Sequence, residues 1–123
     1  MMKTSILFVD DDPGVTGALK RLFHKSGFAV SIANSGAQAL AMMNHQQYTV
    51  IVSDQLMPGM KGTHFLLRAH IKQPEALKIM FSGDIDTMTD NDALHDNDIC
   101  QFIPKPCFDD ELISYINSAL QAR

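Results

Sequence analysis

Short runs rich in β-branched and aromatic residues return five times along the chain: SILFV at 5–9, FAVSIA at 28–33, YTVIVSD at 48–54, ALKIMFSG at 76–83 and CQFIPKP at 100–106. Between them PGVTGALKRLFHKSG, GAQALAMMNHQ and THFLLRAHIKQ, and after the last DELISYINSALQAR, space their apolar residues as one face of a helix. Val15, Ala18, Leu19 and Leu22 share such a face in the first, and Leu112, Ile113, Ile116 and Leu120 in the last. A strand that is followed by a helix rejoins its own sheet as a parallel neighbour through a right-handed crossover. The alternation therefore predicts an α/β domain, a doubly wound five-stranded parallel sheet with helices on both faces, spanning residues 1–123. The run at 48–54 is apolar on consecutive positions, as a strand covered on both sides requires.

Boundary residues agree with this division. Asp12 is a good N-cap ahead of Pro13, Gly27 is suited to close the first helix, and Asn34 or Ser35 can cap the second. Asp109 is placed to cap the last. The stretch DIDTMTDNDALHDNDI must carry the chain between the fourth and fifth runs, yet Asp, Asn and Thr form helices poorly, so a short and weakly stabilised helix is expected there.

Composition narrows the class. With 46% hydrophobic and 20% charged residues in 123, the chain can bury an ordinary core without disulfides or a structural metal. A net charge of −4, with Lys and Arg scattered singly, argues against a domain that grips nucleic acid or an anionic membrane through a basic face. Cys100 and Cys107 match neither a redox nor a zinc spacing, and reduced thiols are expected. No apolar run approaches the roughly 18 residues of a membrane span, and the N-terminus lacks the features of a signal peptide. A soluble, cytoplasmic protein is the expectation.

Doubly wound sheets bind their ligands outside the carboxyl ends of the strands. Asp10, Asp11 and Asp12 follow the first run, Asp54 ends the third, Ser82 ends the fourth and Lys105 follows the fifth, so all should meet in one crevice. Clustered carboxylates resist joint ionisation unless a cation lies between them, and an all-oxygen set of this kind suits Mg²⁺. A lysine and a hydroxyl beside them would complement a phosphoryl group, and one carboxylate could take that group as an acyl phosphate. Asp12, adjacent to Pro13, reads better as the helix cap than as a ligand.

FVDDD, IVSDQLMPGMKG, IMFSG and FIPKP, in that order over nearly the whole chain, resemble the receiver domain of bacterial two-component response regulators. The resemblance implies a flavodoxin-like (βα)5 fold and a signalling switch instead of an enzyme, with slow self-catalysed phosphorylation and dephosphorylation. Asp54 would be the phosphoacceptor, supplied by a sensor histidine kinase or a phosphotransfer protein. Asp11 would hold Mg²⁺ directly, Asp10 through water, and the Leu56 carbonyl would be a further ligand beside Asp54. Lys105 and Ser82 would contact the phosphoryl oxygens. Ser82 and Phe102 would relay the state to the face made by the fourth helix, fifth strand and fifth helix. The output domain or partner is left open, and the resemblance allows a phosphorylation-linked homodimer. Cys107 and the polar fourth segment depart from the family's commoner pattern.

The same residues suit other chemistries less well. A Mg²⁺-dependent phosphohydrolase of haloacid-dehalogenase type would use Asp10 as nucleophile, but leaves Asp54 with a lesser role and has no room for a cap domain. FMN binding would set a phosphate against three aspartates. The acidic stretch from Asp84 has Thr89 where a calcium loop needs glycine. The five histidines show no ligand spacing, and no nucleotide motif is present.

Overall fold

The apolar runs form parallel strands and the helical stretches cover both faces of their sheet in the computed structural model, which describes residues 4–24, 26–55, 57, 59–82, 101–104 and 109–122. In chain order these are β1 (Ser5–Val9), α1 (Pro13–Phe23), β2 (Ala29–Ala33), α2 (Gly36–Met43), β3 (Val50–Asp54), α3 (Gly62–Lys72) and β4 (Leu77–Ser82). Gln101–Pro104 (β5) and a C-terminal helix (Asp109–Gln121) follow. The strands are ordered β2-β1-β3-β4, all parallel, and β5 lies parallel against β4 at the outer edge. The stretch expected to form the fourth helix lies outside the described residues.

Strand periodicity sends alternate side chains to opposite faces. Leu7, Val9, Ile51 and Met80 pack under α2 and α3 with Met43, Phe65, Leu66 and Ala69. Ile6, Phe8, Val50, Val52, Ile79 and Phe81 face the other way, against Leu19 and Phe23 of α1 and Leu112 and Ile116 of the C-terminal helix. Met43 and Met57 are buried and Met42 and Met60 lie against the same core, so the methionines fill space near the sheet.

Several boundaries differ from expectation. α1 ends at Phe23 with His24 as its C-cap, and Gly27 takes a positive φ of 88° in the turn beyond. Ala18 is exposed while Phe23 is buried, because Phe23 reaches both Phe8 and Phe28, with ring centroids 5.2 and 5.7 Å apart. Asp12 and Ser35 cap as anticipated: their side-chain oxygens accept from the Gly14 and Gln38 N–H groups. Gln38 reciprocates, its Oε1 accepting from Asn34 N–H. Asp109 is the first helical residue of the C-terminal helix instead of its cap.

At the end of the sheet opposite the aspartates, two buried polar residues lock loops together. Gln73, 3% exposed, accepts the Tyr48 N–H and donates to the carbonyls of Met43 and Gln46. Lys78, 2% exposed on β4, donates its ammonium to the carbonyls of Gln73, Pro74 and Ala76. Gln73→Leu keeps the volume but leaves these backbone groups without partners, and should lower stability by about 2–3 kcal/mol in urea unfolding; a loss under about 0.5 kcal/mol would show that water replaces the amide there.

Candidate functional site

Strand register aligns the functional ends. Val9 pairs with Ser53, and Asp54 pairs with Phe81, so the residue after β1 and the last residues of β3 and β4 stand in one row. Asp10 extends the β1–β2 pairing through its N–H to Ala33 O. Its carboxylate is buried, 4% exposed, and accepts from Asp12 N–H at 3.0 Å. Asp54 is half-buried and Asp11 exposed. One carboxylate oxygen from each of Asp10, Asp11 and Asp54 lies within 4.8 Å of the others. The ends of two separate segments thus bring together the three acids expected there.

These residues fit a hard divalent cation. Carboxylates so close repel one another, one of them is buried, and every donor is an oxygen on a strand end, which is the ligand chemistry of Mg²⁺ or Ca²⁺ rather than of zinc. Asp12 points elsewhere, engaged as the α1 cap. Ser82 is the last residue of β4, where it pairs with Pro104, and Phe102 pairs with Met80. Leu56 and Lys105 lie outside the described residues.

The turn after Asp54 is held by contacts that composition did not suggest. α3 starts on top of it: an ideal Cβ on Gly62 would overlap the Asp54 carbonyl oxygen, so only glycine admits this approach. Gly59 takes a positive φ of 81° within the turn. Gly62 is the first residue of α3 and serves close packing. Gln55, buried at 3% exposure, was missed by the sequence reading. The available signal was negative: α3 opens with Lys61 at its N-cap position, which makes no side-chain capping bond, so its first N–H groups needed an acceptor from elsewhere.

A parallel α/β sheet with three convergent acids at its carboxyl edge defines a class of domains that hold a cation at a topological switch point. Within that class the chain belongs to the response regulator receiver domain family, whose model matches residues 6–117. It is 32% identical over 121 residues to the hydrogenase transcriptional regulatory protein HoxA of Cupriavidus necator, covering 98% of this chain and 25% of HoxA. The chain thus spans about a quarter of that relative's length. The signal receiver domain of an HD domain-containing protein from Pseudomonas fluorescens Pf-5 superposes with a TM-score of 0.88 at 26% identity, over 98% of this chain and 97% of that one. The response regulator TrrA of Thermotoga maritima, solved in complex with Mg²⁺-BeF, gives a TM-score of 0.82 at 26% identity, over 95% and 98% of the two chains. Receiver domains are signalling switches of two-component systems. The phosphohydrolase alternative, with Asp10 as nucleophile, finds no support in these relationships. Among the described residues no helix is long and apolar enough to cross a membrane.

Proposed function

We propose that Asp54 is the phosphoacceptor of a switch whose donor is a phosphohistidine on a sensor kinase or phosphotransfer protein. A carboxylate oxygen of Asp54 attacks phosphorus, the phosphorus–nitrogen bond to the donor imidazole breaks, and its electron pair stays on that nitrogen. The product is an acyl phosphate. The convergence of Asp10, Asp11 and Asp54 carries this reading, because a buried acid beside two others needs a reason to persist.

Asp10, Asp11 and Asp54 would hold Mg²⁺ with the Leu56 carbonyl, and the ion when bound would neutralise both the acids and the phosphoryl oxygens. The TrrA complex with Mg²⁺-BeF supports that choice of ion. Lys105 would pair with phosphoryl oxygens and Ser82 would donate its hydroxyl to another. Such charge-assisted bonds contribute about 1.5–3 kcal/mol each, enough for a tenfold or larger population shift per contact. Ser82 and Phe102 would pass that shift to a face completed by the fifth strand of a (βα)5 sheet and the helices flanking it. Slow self-catalysed labelling and loss, a cytoplasmic location, a domain spanning 1–123 and an output module like that of a transcriptional regulator such as HoxA belong to the same reading.

Peptide mapping tests it. After incubation with a phosphorylated histidine donor and Mg²⁺, one hydroxylamine-labile phosphoryl group is expected on Asp54, and EDTA should prevent it. A label on Asp10, or none at all, would overturn the proposal.

A further inference from the structure

One buried residue ties the proposed acceptor to the helix behind it. The Gln55 N–H donates to Asp54 Oδ1 at 2.9 Å. Its carbonyl accepts the Gly62 N–H at 3.0 Å, and its side-chain Oε1 accepts the Thr63 N–H at 2.9 Å. Gln55 therefore meets the first two N–H groups of α3, in the role that Lys61 leaves open. Gln55 and Thr63 are 3% and 2% exposed, so water has little access to replace these bonds.

We infer that Gln55 is a positioning residue for phosphoryl transfer. This rests on Asp54 being the acceptor. The Gln55 N–H leaves a residue whose carbonyl and side chain are both bonded to the start of α3, so α3 holds the Gln55 end of the 54–55 peptide. Asp54 Oδ1 accepts from that N–H, so the carboxylate is coupled to the start of α3. Phosphoryl transfer depends mostly on such placement, and an error of about 1 Å at the reacting atom can cost on the order of 10²-fold in rate. Without the side-chain oxygen, the Thr63 N–H would be buried without a partner, the start of α3 would shift to recover one, and Gln55 would lose one of its two bonds to α3.

Two variants separate positioning from bulk stability. Gln55→Met keeps the length and volume of the side chain but removes the amide oxygen; Gln55→Glu restores an acceptor at the same reach. The readout is the initial rate of Asp54 labelling by acetyl phosphate at saturating Mg²⁺, normalised to the folded fraction from near-native amide NMR signals. Gln55→Met should label about tenfold more slowly per folded molecule, and Gln55→Glu should recover most of the loss. A wild-type rate per folded Gln55→Met molecule, whatever its unfolding midpoint, would overturn the inference. So would a Gln55→Glu protein as slow as Gln55→Met. Should Gln55→Met fail to fold, the wild-type protein supplies the test: the Gln55 and Thr63 amide resonances should both move on addition of Mg²⁺ and beryllofluoride, and a Thr63 amide that stays in place would overturn the coupling. Labelling that survives Asp54→Asn would instead remove the acceptor assignment itself, a different failure from a silent Asp54→Asn beside a fully active Gln55→Met.

Discussion

Replacing Asp54 with asparagine is expected to abolish phosphoryl labelling while leaving the domain folded. The two side chains have nearly the same shape, and an asparagine Oδ1 can still accept the Gln55 N–H that Asp54 accepts at 2.9 Å. The amide offers no anionic oxygen to attack phosphorus, so labelling should fall by more than about 10³-fold, in line with removal of a nucleophile elsewhere. The variant should also change how the protein responds to Mg²⁺. Wild type carries three carboxylates within 4.8 Å, so it should be stabilised by the ion, by about 2.7 kcal/mol at a hundred times the dissociation constant. Asp54→Asn removes one charge from that group; it should unfold at a higher temperature than wild type without metal and gain less when Mg²⁺ is added. Thermal unfolding with and without the ion checks both halves. A variant that still accepts phosphate on another residue would end the assignment.

Gly62→Ala should be the most damaging of the small substitutions. An ideal Cβ there would fall inside the contact radius of the Asp54 carbonyl oxygen and 2.9 Å from both the Asp54 carbonyl carbon and the Gln55 Cα. All three are backbone atoms next to the acceptor, so no side chain can rotate away and either α3 or the end of β3 must move. Overpacking of this kind costs typically 1–3 kcal/mol and more where backbone must shift, so a loss of about 3 kcal/mol is expected in urea unfolding. Because the displaced atoms carry the acceptor, labelling by acetyl phosphate should drop in the same variant. Gly17→Ala makes the comparison. It lies inside α1, where a Cβ would meet only the Arg21 guanidinium at 3.7 Å. Alanine should stabilise the helix there by about 0.5–1 kcal/mol. Equal effects at the two glycines would show that helix α3 yields easily and that its contact with Asp54 is not tight.

Periodicity made the layers legible. Leu19, Leu112 and Ile116 face the sheet as their spacing implies, and the consecutive apolar residues of β3 are covered on both sides. Local chemistry made the caps legible too, since Asp12 and Ser35 satisfy N–H groups two and three residues away. Helix ends were read less well: α1 stops at Phe23, whose carbonyl accepts both the N–H and the hydroxyl of Ser26. Lys78 illustrates the same limit. Within ALKIMFSG it looks like an interruption, and the carbonyls of the preceding turn help to make its burial tolerable.

Amino-acid order alone determined the alternation of strand and helix, and with it the edge where Asp10, Asp11 and Asp54 would be found, because side-chain period and strand ends are local properties. Tertiary structure decided how those acids are held. The register of β1 on β3 brings them within reach of one ion, and Gly62 and Gln55 set the turn beside them through contacts between groups seven or eight residues apart. Such contacts depend on where α3 packs, and packing is the one quantity that no short stretch of sequence contains.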